Sequence, residues 1–254
     1  MRRLLISALL ILFAASSASE AARVTPMAIE MTPTGRDSIG RIEVTNTDDR
    51  PIPMEIKMYR GRIAENGDVE LEPADDRFAA FPPQVVLPAN GRQIFRIQFI
   101  PDGPMTQSEI YYASISQLPV EIEQSGTHIQ VLMRFNVLVN VVPEGTSAQP
   151  VVESARWVER EIEAPPGEEA AVQRQRGLEV RVTNRGTRYF PAGRIGWEVS
   201  GADETGAEFR ETYDAGVMSE TIGMGIVAPG RARVFFIPME RRLRDDSISV
   251  SFRR

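Results

Sequence analysis

An internal repeat restricts the fold more than any other feature of this chain. Val44-Thr45-Asn46, followed by a turn and Arg50, recurs as Val182-Thr183-Asn184, followed by a turn and Arg188. Leu87-Pro88-Ala89-Asn90-Gly91-Arg92 runs into Ile94 and Phe95, and Ala228-Pro229-Gly230-Arg231 runs likewise into Val234 and Phe235. From Asn46 to Gly91 is 45 positions and from Asn184 to Gly230 is 46. Two motifs in the same order at the same separation imply two similar units in tandem.

Each unit alternates apolar and polar residues with period two. Arg41 to Thr45, Met54 to Tyr59, Ile94 to Ile100, Glu109 to Ile115 and Ile129 to Val142 read as strands, separated by turn clusters such as Glu65-Asn66-Gly67-Asp68. Helical signal is scarce. The expected fold class is all-β: two tandem immunoglobulin-like β-sandwich domains, 23–143 and 150–254, set at an angle by a proline-bracketed linker at 144–149. Residues 1–22 have the layout of a signal peptide. Arg2 and Arg3 precede an apolar run from Leu4 to Ala15 that is short for a bilayer span, and small residues follow. The expectation is a cleaved, exported chain with no membrane anchor, in a bacterial periplasm. Its mature start falls near Ser19 or Ala22.

Composition removes whole chemistries. The chain has 254 residues, no cysteine and one histidine, so disulfides, thiolate metal sites, cysteine nucleophiles and paired imidazoles are excluded. His128 has no strained Gly-x-Ser-x-Gly turn to serve, and the acidic pairs Asp75-Asp76, Glu168-Glu169 and Asp245-Asp246 lack the spacing of a calcium loop. The expectation is no catalysis, no cofactor and no metal. A net charge of −6 disfavours nucleic acid as a partner. Of the 29 basic residues only Lys57 is a lysine.

The stretch from Ile129 to Val142 carries more apolar surface than one sheet face consumes. Ile129, Val131, Met133, Phe135, Val137, Val139 and Val141 fall on one side, and the other side adds Leu132, Leu138 and Val142. Either this strand is buried on both faces near the domain junction, or it is an edge whose surplus face belongs to a partner or to a second copy of the chain.

These residues resemble the periplasmic chaperones of the chaperone–usher pilus pathway. The resemblance rests on Glu109 to Pro119 before the long alternating strand, on Phe81-Pro82-Pro83, on Phe95-Arg96-Ile97 after Pro88 to Gly91, and on Val182-Thr183-Asn184 with Tyr189. It implies a protein that lends a strand to incomplete pilus or fimbrial subunits and passes them to an outer-membrane usher. Carried onto this chain, the donor residues are Ile129, Val131, Met133 and Phe135. The family also holds the subunit's terminal carboxylate with an arginine on the first strand and a lysine on the last strand of domain one. Here Leu138 falls at the lysine position, and Glu30 or, with a small shift, Ala28 at the arginine position. Arg134, Arg96 and Arg92 are the candidate substitutes, because guanidinium can grip a carboxylate bidentately. For Arg96 the competing expectation is an interdomain ion pair with Glu109. The rival reading of the chain is a non-enzymatic two-domain adhesion or surface-assembly protein; an exported hydrolase ranks third.

Overall fold

The computed structural model describes residues 22–119, 131–162 and 173–253. In the first sandwich, β1 (Ala22–Thr25), β3 (Ile39–Asn46), β8 (Arg92–Phe99) and β6 (Phe78–Phe81) form one sheet in the order β1-β3-β8-β6. The facing sheet runs β2 (Ala28–Met31), β10 (Arg134–Val141), β9 (Glu109–Gln117), β4 (Ile52–Ile63), β5 (Val69–Pro73), with β7 (Gln84–Leu87) also paired to β4. Period-two alternation puts Ile42, Val44, Met54, Met58, Phe95, Ile97, Tyr111, Ala113, Val137 and Val139 between the sheets, all buried in one core.

In the second sandwich, β11 (Pro150–Ile162), β12 (Gln173–Asn184) and β17 (Ala232–Pro238) face β15 (Glu208–Tyr213), β14 (Gly196–Ala202) and β18 (Ser249–Arg253). The short pair β13 (Phe190–Pro191) and β16 (Ile226–Val227) lies beside them. A separate core collects Leu178, Val180, Val182, Trp197, Val199, Phe235 and Ile237. One helix, α1 (Ala215–Ile222), was not expected from the pattern. It is capped by Asp214, whose side chain accepts from Val217 N, and it buries Met218.

The repeat has a physical cause. Asn46 and Asn184 are fully buried, and each side-chain amide ties one turn to another. Asn46 Nδ2 donates to Arg50 O at 2.8 Å and Pro88 O at 2.9 Å, and Asn184 Nδ2 donates to Arg188 O at 2.7 Å and Val227 O at 3.1 Å. The second motif aligns one residue differently from the sequence expectation. Gly91 N donates to Pro88 O and Arg231 N to Ala228 O, which makes Asn90 (φ 53) the counterpart of Gly230 (φ 66). Both positions need the left-handed backbone that glycine and asparagine tolerate best.

The sandwiches meet through a third apolar cluster. Ile110, Leu138 and Ile226 are buried there, flanked by Ala28, Ile63, Tyr112, Tyr189, Met224 and Ala228. Polar contacts frame it: Ser108 N donates to Thr187 O at 2.8 Å, Tyr189 N to Ser108 Oγ at 2.7 Å, and Val234 N to Glu65 O at 2.7 Å.

Candidate functional site

The long strand expected from residue 129 begins, among the described residues, only at Arg134; Val131 to Met133 are not strand. Its two halves have different neighbours. All of β10 pairs antiparallel with β9, from Arg134 opposite Ser116 to Val141 opposite Glu109. Its other edge is covered only from Leu138 opposite Ala28 to Val141 opposite Met31, where β2 runs parallel to it. The chain explains the gap. Thr25 still pairs with Glu43 in the opposite sheet, Met27 O already accepts from Leu138 N at 3.0 Å, and the single residue Pro26 makes the crossing. Nothing remains to cover Arg134–Val137 among the described residues.

Hydrogen-bond alternation fixes which groups are free. Gln117 N donates to Met133 O at 2.9 Å, so odd-numbered residues of this segment turn their backbone groups toward β9. Even-numbered residues turn theirs the other way, as Leu138 N does toward Met27. Arg134 and Asn136 therefore present unpaired N–H and C=O groups along the open edge.

Apolar side chains surround that edge. Val131 is 76% exposed, Met27 49% and Leu132 45%. Met133 and Phe135 are partly buried against the first core, so two of the four expected donor residues already serve their own sandwich. Ile129, and His128 with it, lie outside the described residues. The choice between a doubly buried strand and an open edge resolves into both: Val137 and Val139 face the core, Leu138 faces the second sandwich, and the residues before them keep a free edge.

The positions expected to hold a carboxylate clamp make other contacts. Leu138 and Ala28 sit opposite one another, and both join the apolar junction cluster. Glu30 holds Arg188 Nη2 with both oxygens at 2.7 Å and accepts from Tyr189 Oη at 2.8 Å. Burial and this hydrogen bond push the Tyr189 hydroxyl up to about 12. Of the candidate arginines, Arg134 is exposed and donates from Nε to Ser116 Oγ at 3.1 Å. Arg92 and Arg96 lie on β8, in the other sheet. With Phe81, Pro82, Gln93 and Ile94 they line a surface groove of about 510 Å³ away from the open edge. The expected Arg96–Glu109 pair does not form, because the two residues belong to opposite sheets. Glu109 instead takes Arg60 at 2.6 Å and the Tyr111 hydroxyl. Burial, then the bond to Glu109, push that hydroxyl up to about 12.

Sequence reasoning missed Met27 and the placement of Lys57. Lys57 stands in a cross-strand row with Ser114 and Asn136, bridging to Glu55 at 3.3 Å. The register that brings these positions together depends on pairing between distant segments, and no local motif encodes it. Among the described residues no cluster of acidic or imidazole side chains could hold a metal ion, and no helix is long and apolar enough to cross a membrane.

No family model matches the chain, and no curated protein does. Solved structures do. The class 5 fimbriae chaperone CfaA matches with a TM-score of 0.53 at 10% identity, over 92% of this chain and 99% of that one. A chain of the chaperone–tip adhesin complex of CFA/I fimbriae biogenesis matches with a TM-score of 0.52 at 10% identity, over 91% and 97%. A chain of the Salmonella enterica complex of SafA pilin with the SafB chaperone matches with a TM-score of 0.50 at 16% identity, over 85% and 84%. At this identity the likeness establishes the fold: all-β, in two immunoglobulin-like domains, as in fimbrial chaperones.

Proposed function

We propose that this chain is a divergent chaperone of the chaperone–usher type, which binds incomplete immunoglobulin-like fimbrial subunits and lends them the open edge of β10. The observation that carries this reading is the uncovered Arg134–Val137 edge bordered by exposed Val131, Leu132 and Met27. Most folded proteins cover such an edge or arm it with charge. Main-chain hydrogen bonds supply affinity with little sequence demand, and alternate side chains fill pockets in the open core of the subunit. Each buried Val, Met or Phe side chain contributes roughly 1.5–3 kcal/mol of gross apolar transfer, before association costs are subtracted.

The finer parts of the reading follow from it. A signal segment that ends before Ala22, the β1 residue that pairs with Asn46, exports the chain to the periplasm; Ile129, Val131, Met133 and Phe135 form the donor row, and an outer-membrane usher receives the subunit. The domain limits are 23–143 and 150–254. No step requires catalysis or a cofactor. With Leu138 and Ala28 at the clamp positions, the terminal carboxylate of a subunit gains no ion pair there, and of the arginines first considered only Arg134 lies beside the edge.

Co-expression with a fimbrial subunit tests the proposal. The subunit should stay soluble with the wild type and aggregate with Val131→Asp plus Met133→Asp. Because Met133 also packs on the core, Val131→Asp alone is the companion variant. A subunit kept soluble by both variants would refute strand donation.

A further inference from the structure

Resting on the strand-donation reading, the geometry points to Met27 as an apolar end stop that selects the last residue of the incoming strand. The open edge and β2 lie end to end along the same side of β10. An added strand can pair with Arg134 and Asn136, but at Leu138 the backbone N–H is already held by Met27 O at 3.0 Å. A strand added parallel to β10, in the same sense as β2, must therefore terminate against Met27.

Met27 occupies the bend just before β2. Beyond it Ile29 and Met31 pack on the first core and Ala28 on the junction cluster, so Met27 is the last residue before the covered half of β10. On β10 the core-side face reads Phe135, Val137, Val139 and Val141, without a charge. Met27 is 49% exposed at the point where the uncovered edge of β10 ends. A methionine at that point offers a flexible, polarisable contact to an apolar side chain. It offers nothing to a carboxylate, and an anion forced against it would lose hydration without gaining a partner.

Fluorescence polarisation with synthetic strands tests this. The probes are acetylated peptides of alternating valine and threonine, about eight residues long, the length of a typical strand. They end in leucine or in aspartate, each as free acid and as amide. The full chain should bind the leucine-ended peptide about tenfold more tightly than the aspartate-ended one, the scale of one buried apolar side chain. Amidation should change affinity by less than about twofold, a few tenths of a kcal/mol. Met27→Asp should abolish the preference, and Met27→Leu should keep it. Equal binding of the two end residues, or a loss of about tenfold or more on amidation, would overturn the end stop while leaving strand donation standing. Binding that is insensitive to Val131→Asp would instead overturn strand donation and the end stop with it.

Discussion

Arg134–Val137 and Leu138–Val141 are consecutive halves of β10, each apolar at its odd-numbered positions, and only the second is hydrogen-bonded along both edges. The second half is also enclosed on both faces, by the first core through Val139 and Val141 and by the junction cluster through Leu138. The first half has a sheet on one side and an open ladder on the other. One stretch of sequence is thus enclosed at one end and left with an open edge at the other. The switch between them is the point where Pro26 delivers the chain from the opposite sheet.

This contrast predicts a steep gradient of mutational effects. Val139→Asp puts a charge at a fully buried position and should cost at least about 4 kcal/mol, seen as loss of the first sandwich in urea titration. If it leaves the folded state intact, the second half is not core. Leu138→Lys would place a lysine where the resemblance to pilus chaperones leads one to expect it. Here it enters an apolar junction, and a cost of about 2–5 kcal/mol is expected. A variant as stable as wild type would show that the junction is looser than the contacts imply.

A smaller effect should come from the Glu30–Tyr189 link across the junction. Tyr111 and Tyr189 have hydroxyls held near 12 rather than 10, so the folded state keeps protons that the unfolded state releases. Their contribution is complete below about pH 10 and is lost as pH rises toward 12. Tyr189→Phe should therefore flatten the alkaline limb of stability and cost only about 1 kcal/mol at neutral pH. An unchanged alkaline limb would remove Tyr189 as a contributor. The smallest stability effect belongs to Val131→Asp, within about 0.5 kcal/mol of wild type, since the side chain is 76% exposed.

Local rules carried most of the architecture. The buried Asn46 and Asn184 each satisfy a pair of turns, so the repeat was visible as a motif, and alternation found the segments that form β3, β4, β8 and β9. The helix Ala215–Ile222 was missed because Gly216 and the β-branched Val217, Thr221 and Ile222 weaken its propensity, leaving Asp214 as its start signal and Gly223 as its stop. The site was legible only in part. Alternation runs unbroken through Phe135, Val137 and Val139, whereas their edge is covered or open according to a segment more than a hundred positions upstream. The Arg96–Glu109 pairing failed for the same reason: sequence proximity to a strand end does not say which sheet the strand joins.

Residue-resolved amide hydrogen exchange, with and without a co-purified fimbrial subunit, tests the central claim most directly. In the free protein the Arg134 and Asn136 amides should exchange rapidly, and the Leu138 and Asn140 amides slowly. On subunit binding Arg134 and Asn136 should become protected while Leu138 and Asn140 stay as they were. If a stable complex forms and the Arg134 and Asn136 amides still exchange freely, β10 does not lend its edge and the account is wrong.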